Sequence, residues 1–433
     1  MEKYKENILD RIGIPHALAW GYLGILIFMM GDGVEQGWLS KYLIDGGLTE
    51  AESALVFTVY GVTIGISSWL SGVLSDMWGV RRTMFYGLII YLLGVIGFVS
   101  IGLGGFNFAL MLIMYGIKGF GYPLFAYTFL VWIAKKSPGS MLGKAVGWFW
   151  FVFTGGLSVL GAIYASWATT AIGYIPTLWS AVIWALIGAL FALVFMKFKT
   201  KNETEKAPSE KATMNGLFNG FTIIKKEPKV GIAGIIRLIN TITLFGFPVF
   251  MPLYMEGVGF TESEWLHIWA VAVGGNIIFN LIFGFVGDMI GWRKTIMWFG
   301  CVGCTITTLL FYYSAQIFPN NIIFVMICGF LWGMTLAGYV PLSALVPSLV
   351  KEEKGAAMSI LNLGAGLSAF LGPAIIGIVY WLGGSGTVII WTFAALYIIT
   401  AFLSRFIALP EEKLGTPRQI RKLELAQLKL TEK

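Results

Sequence analysis

The chain has 433 residues, of which 57% are hydrophobic and only 12% charged, and its formal net charge is +7. A soluble domain carries about 25% charged residues, so this composition excludes an ordinary water-soluble enzyme or binding module. The positive balance does not mark a nucleic-acid partner either, because of where the basic residues fall.

The first sixteen residues are polar and mixed in charge, and the apolar run after them is too long for a signal-peptide core, so no cleaved leader is expected. Twelve apolar runs follow, at 17–43, 51–75, 83–104, 107–133, 143–168, 174–196, 230–255, 263–287, 295–315, 321–349, 355–382 and 386–408. Most are near the roughly 20 residues that cross about 30 Å of hydrocarbon as a helix. The expected fold is an all-α membrane protein of twelve transmembrane helices in two six-helix bundles, 17–196 and 230–408. A charged linker at 197–229 joins them, and polar segments at 1–16 and 409–433 flank them. The linker reads as a mobile connection and the tail as an amphipathic surface helix.

All but three of the 30 lysines and arginines lie in the N-terminal segment, the even-to-odd loops, the linker or from Arg405 onward. By the positive-inside rule both termini and the linker are expected to be cytoplasmic, in a multi-pass plasma-membrane protein. The three exceptions are Lys41 in an outer loop and Lys118 and Arg237 within spans.

One stretch occurs twice. Gly72-Val-Leu-Ser-Asp76-Met-Trp-Gly79-Val-Arg81-Arg82 matches Gly284-Phe-Val-Gly-Asp288-Met-Ile-Gly291-Trp-Arg293-Lys294, and each copy lies at the basic end of an even-numbered span. At the same offset, Thr49 with Glu52 and Thr261 with Glu264 form two capping boxes. Two landmarks at one offset indicate an internal duplication. Gly72 and Gly284 permit a close helix neighbour, Asp76 and Asp288 suit the positive N-terminus of another helix, and Gly79 and Gly291 suit a tight reversal with positive φ.

With these residues the chain resembles the major facilitator superfamily, whose loop signature is Gly-x-x-x-Asp-x-x-Gly-x-Arg/Lys-Arg/Lys. The resemblance covers the whole membrane part and implies that Asp76, with Arg81 or Arg82, latches the halves on the cytoplasmic side in the outward-open state. Gly72, Asp76, Gly79, Arg81, Arg82, Gly284, Asp288, Gly291, Arg293 and Lys294 are then conformational-switch residues. In the fourth span, Lys118-Gly119-Phe-Gly121 matches the family's intramembrane arginine and glycines, with Lys in place of Arg. The fifth span has no proline between Pro138 and Pro176, which disfavours a drug antiporter. More narrowly, the stretches 28–40 and Lys118–Tyr127 resemble the polyol permeases, the ribitol and arabinitol transporter group, which has a 2-oxoglutarate permease branch.

A charge at the bilayer centre costs about 2.5–3.5 kcal/mol even on lenient scales, so intramembrane charges mark function. Asp32 and Glu35 share one helical face and are followed by Gln36; Lys118 lies near mid-depth with Tyr122 one turn on; Arg237 and Asn240 share a face of span seven. Asn276, with Asn280 one turn on, and Asn362 add polar groups in spans eight and eleven. Asp32, Glu35, Gln36, Lys118, Tyr122, Arg237, Asn240, Asn276 and Asn362 are the candidate substrate and proton residues, with Asp32 the favoured proton acceptor and Glu35 second. Each is weighed against a plainer role: Lys118 and Arg237 as neutralising partners for the carboxylates, each Asn as helix glue, His267 as a surface residue.

Cys301-x-x-Cys304 has metal-ligand spacing, but no other Cys or His lies nearby in sequence, so these are read as core residues; no metal or cofactor is expected. The two histidines, His16 and His267, form no zinc or nucleophile motif, and no enzyme is expected. The expected function is transport of a small polar solute by alternating access, coupled to protons by symport, in a monomer. The favoured solute is a linear polyol, because two intramembrane cations against two carboxylates leave a near-neutral site. The alternatives are a dicarboxylate of the 2-oxoglutarate type and a membrane sensor that does not transport.

Overall fold

A computed structural model describes residues 12–35, 38–196, 222–319, 321–351, 353–409 and 415–419, with Leu9 and Glu412. Most of the predicted linker and tail, and Gln36, lie outside the described residues. Residues 222–226, placed in the linker by the sequence, are helical, and Ile223 there is buried, which gives that end of the linker a packing role.

Eleven helices among the described residues are long and apolar enough to cross a membrane, and they follow the predicted second to twelfth spans: Leu55–Met77, Val80–Leu103, Phe108–Lys136, Leu142–Ala171, Tyr174–Phe195, Pro228–Gly257, Glu264–Ile290, Trp292–Ile317, Ile322–Ser348, Lys354–Trp381 and Gly386–Ile407. The first predicted span is a broken helix. It runs from Ala19 to Gly33, turns, and resumes over Leu39–Asp45. The Trp38 indole donates to the Val34 carbonyl at 2.7 Å, the Leu39 amide still donates to the Glu35 carbonyl at 3.2 Å, and the Glu35 side chain meets Tyr115 and Lys118 of the fourth span. Hydropathy does not register such a break, since both pieces are apolar.

The distribution of side chains is that of a protein solvated by hydrocarbon. Large apolar residues such as Leu253, Ile163 and Trp381 face outward, while Asp32, Lys118, Arg237, Asn240, Asn276 and Asn362 are buried. In lipid the helices gain little from hiding apolar groups, so polar groups and small residues are what they bring together.

The chain packs as two compact units, the first from Met1–Lys136, Phe149–Thr222 and Glu353–Gly366, the second from Ser137–Trp148, Ile223–Glu352 and Leu367–Lys433. In the first unit, spans two and three both pack on span four and span one packs on span six; in the second, span eight packs on span ten and spans nine and twelve meet. The two capping boxes form as the sequence expects. Thr49 accepts from the Glu52 amide at 3.2 Å while its own amide and hydroxyl donate to the Glu52 carboxylate at 2.8 Å, and Thr261 and Glu264 repeat the arrangement. Those bonds from the Thr49 amide and hydroxyl hold the Glu52 carboxyl below its usual range.

The duplicated stretch has the same local form in both copies. Gly79 and Gly291 have φ of 83° and 105°, the left-handed region that glycine enters without strain, and each starts the next helix. Each Asp caps a helix that begins far away in sequence: the Ala356 amide donates to Asp76 at 3.0 Å, and the Lys144 amide donates to Asp288 at 3.1 Å. A carboxylate at a helix N-terminus satisfies an orphan amide and meets the positive end of the dipole. The glycines four residues earlier make room: a Cβ on Gly72 would strike the Gly355 carbonyl, and one on Gly284 the Gly143 carbonyl. Asp76 also forms an ion pair with Lys135 at 2.6 Å, and Asp288 accepts the Trp292 indole at 2.8 Å. Lys135 was not singled out by sequence; both it and Asp76 sit at the basic ends of their spans, which is the signal that could have found it.

Candidate functional site

The densest polar cluster among the described residues lies in the first unit, where spans one to four converge. Lys118 is only 1% exposed, and its ammonium stands 3.0 Å from Asp32 Oδ1 and in contact with Glu35 Oε1. The two carboxylates, 3% and 6% exposed, reach it from the end of the first helix and the turn after it. Their spacing of three residues puts both on one side of that helix end, as the sequence predicts. The Tyr60 hydroxyl donates to both Asp32 oxygens at 3.1 Å, and the Tyr115 hydroxyl donates to Glu35 Oε1 at 2.6 Å. The rings of Tyr60, Tyr91 and Tyr115 surround the ammonium with centroids at 5.3, 5.5 and 5.3 Å, within cation–π range.

Glycines set this geometry. Gly94 of span three lies against the backbone of Lys118 itself, where a Cβ would overlap the Lys118 nitrogen and Cα. Gly119 abuts Tyr60 and Thr63 of span two, and Gly121 abuts the Tyr91 backbone of span three. The run Lys118-Gly119-Phe-Gly121 is thus a charged residue whose flanking glycines let two neighbouring helices press against it. Gly94→Leu is expected to force spans three and four apart, costing about 1–3 kcal/mol as overpacking does. Gly61→Leu, where nothing lies within 4 Å of the added carbon, serves as control. Thermal unfolding of the purified proteins compares the two; equal stability would refute the packing argument.

Tyr122, one turn beyond Lys118, is buried with its ring 6.3 Å from that of Tyr60. Asn362 donates to the Ser71 hydroxyl at 3.1 Å within the same unit, tying span eleven to span two. Tyr60, Tyr91 and Tyr115 were missed by the sequence reading, since tyrosines in apolar runs read as core. Tyr115 lies three residues before Lys118 on the same helix face, a spacing that could have flagged it.

The second unit places the other candidates differently. Arg237 donates to Asn240 Oδ1 at 2.7 Å, and the Asn240 amide donates to the Leu336 carbonyl at 3.3 Å, where span ten leaves its α-helix for a short 3-10 turn. The Tyr397 hydroxyl donates to the Asn240 carbonyl at 3.0 Å. Asn276 donates to the Gly333 carbonyl at 3.3 Å, and Asn280 to Asn276 Oδ1 at 3.4 Å, so this pair bridges spans eight and ten. The three cysteines are buried, and His267 is exposed. Of the two cations expected beside the two carboxylates, Lys118 meets both carboxylates within the first unit, and Arg237, in the second unit, donates to Asn240.

Within the first unit one buried lysine is thus shared between two buried carboxylates, an arrangement in which removing any one charge is costly.

Comparison with known proteins places this geometry in context. The family model described as Major Facilitator Superfamily matches residues 12–275 and 237–431. The chain is 49% identical to the alpha-ketoglutarate permease of Bacillus subtilis, covering 94% of this chain and 93% of that protein. It is 37% identical to the D-arabinitol transporter of Klebsiella pneumoniae, covering 92% and 93%. Among solved structures, the proton:xylose symporter XylE superposes with a TM-score of 0.70 at 16% identity, covering 94% of this chain and 98% of that one, a likeness of fold.

Proposed function

We propose, given that this chain belongs to the Major Facilitator Superfamily and buries one lysine between two carboxylates, that it is a proton-coupled symporter of a small polar organic solute. The two six-span halves, 17–196 and 230–408, alternate access to a site between them, with the basic span ends, both termini and the linker on the cytoplasmic side. One chain suffices for this cycle. Asp32 is the proton acceptor and Glu35 the second candidate. Protonation of one carboxylate loosens its hold on Lys118, and solute then completes the polar contacts that the cluster gives up. The duplicated stretches act as the switch, since Asp76 and Asp288 each hold the start of a distant helix through a backbone amide.

The single observation that carries this reading is the pairing of Lys118 with both Asp32 and Glu35. A linear polyol such as ribitol or arabinitol is the favoured solute. Two carboxylates sharing one lysine, with the Tyr60 and Tyr115 hydroxyls beside them, suit hydroxyl groups better than anions, and the D-arabinitol transporter is a close relative in sequence. A second reading is favoured by the higher identity to the alpha-ketoglutarate permease. In that case Lys118, released by protonation, receives a carboxylate of the solute.

Reconstituted protein in proteoliposomes, tested with ribitol, D-arabinitol, xylose and 2-oxoglutarate, with and without a pH gradient, separates these readings. Polyol uptake that a protonophore abolishes is the expected result. Uptake of 2-oxoglutarate alone overturns the polyol reading, and no uptake of any solute favours a sensor.

A further inference from the structure

The geometry points to a binding site for one anionic phospholipid in a groove between the third and sixth spans. A cavity of about 500 Å³ lies between the first turns of span three and the last turns of span six, with Arg81 and Arg82 at one end and Phe85, Leu190 and Val194 along its walls. Apart from the two arginines the lining is aliphatic or aromatic, and those three wall residues are half-exposed, at 50, 45 and 61%. An arginine fork matches the oxygens of a phosphodiester, and the remaining walls match acyl chain. Positive-inside topology accounts for two arginines at a span end, but not for a cavity that leads from them along apolar walls.

Three neighbouring features agree. Trp78 and Tyr86 meet edge to face at 5.6 Å beside the arginines, and such amphipathic rings mark the headgroup level of a bilayer. Arg81 and Arg82 occupy the first turn of an 18-residue helix that has no acidic residue there and no side-chain cap from Gly79. Cations at that end oppose the helix dipole, an arrangement that an anion seated among them relieves. In the second copy of the duplicated stretch the corresponding Arg293 holds a carboxylate, that of Glu412 at 2.8 Å, so this position of the stretch can receive an anion. At the first copy the apolar groove commits the anion to a lipid rather than a soluble phosphate.

The inference rests on the reading that these span ends face the cytoplasmic leaflet, where anionic lipids draw basic residues. The test uses the full chain in mild detergent, offered equal phosphatidylglycerol and phosphatidylcholine, with bound lipid counted by native mass spectrometry. One phosphatidylglycerol per chain, preferred by about tenfold or more, is expected from two arginines. Arg81→Gln with Arg82→Gln is expected to bring that preference close to unity. Leu190→Trp, which keeps both arginines and fills the groove, is expected to lower lipid retention to a similar extent. Unchanged retention in Leu190→Trp overturns the site, and it decides the matter alone if the double variant does not fold. Displacement of the lipid by excess soluble glycerol 3-phosphate also overturns it, in favour of a soluble anion. Lipid retention is read without solute, so its failure is separate from any failure of transport.

Discussion

Asp32→Asn is expected to abolish uphill accumulation while leaving solute exchange in place. The substitution preserves size, and the Tyr60 hydroxyl retains an oxygen to which it can donate. Lys118 keeps Glu35 as a partner. What changes is the charge count: one cation now meets one carboxylate, and the cluster is neutral without a proton. Nothing then draws a proton into the site, so a pH gradient has no purchase on the cycle. In proteoliposomes with a gradient of about one pH unit, one-to-one coupling supports accumulation up to about tenfold. The variant is expected to stop at equal concentrations inside and out, yet to exchange internal for external solute. Retained uphill accumulation would remove Asp32 from the proton role and leave Glu35 as the remaining carboxylate of the cluster. Glu35→Gln, measured in the same assay, then decides whether the second carboxylate carries the coupling.

Lys118→Ala is expected to be the most disruptive single change in the first unit. It removes the cation from between two buried carboxylates and leaves them facing each other beneath three tyrosine rings. Breaking a buried pair by deleting one partner costs about 3–5 kcal/mol, because the remaining charge has lost its compensation. The loss should appear as unfolding at lower denaturant and as absence of uptake. A double variant, Lys118→Ala with Glu35→Gln, removes one of the orphaned charges and is expected to recover part of the stability. Groups in one network couple by about 0.5–3 kcal/mol, so the cycle should be clearly non-additive. Additive losses would show that Lys118 and Glu35 do not share a network, against the geometry described above.

The two substitutions also separate stability from coupling. Asp32→Asn leaves a balanced pair and targets the proton alone, whereas Lys118→Ala unbalances the cluster and targets the fold as well.

Much of the architecture is legible in the sequence because its causes are local. A run of about twenty apolar residues must be a helix in hydrocarbon, since every backbone group has to be satisfied within it. The capping boxes at Thr49 and Thr261 are legible for the same reason, as donor and acceptor lie three residues apart. Asp76 and Asp288 are legible in type but not in partner. Their charge calls for a helix N-terminus, yet nothing in sequence says which one, because the amides of Ala356 and Lys144 lie far along the chain. The charged cluster is half legible. Asp32, Glu35 and Lys118 are conspicuous as charges among apolar residues. Tyr60 and Tyr91 are not, since a tyrosine in an apolar run looks alike whether it meets a buried charge, as the Tyr60 hydroxyl meets Asp32 and the Tyr91 ring meets Lys118, or the membrane surface. Arg237 is as conspicuous as Lys118, and its contact with Asn240 is legible because the two share a helix face.

The way Asp76 and Asp288 are held bears on how these positions can drift. Each carboxylate is gripped by a main-chain amide, so the identity of the donor residue is nearly irrelevant: alanine serves at 356 and lysine at 144. The residue just before is another matter, because a Cβ on Gly355 would fall on the Asp76 carboxylate and one on Gly143 on that of Asp288. Saturation mutagenesis should therefore find an abrupt alternation, with glycine alone tolerated at 143 and 355. At 144, which is partly exposed, most residues should pass except proline, which lacks the donor, and at 356, which is buried, other small residues should pass. A contact written in the main chain leaves a sharp mark in tolerance one position away from the residue that makes it.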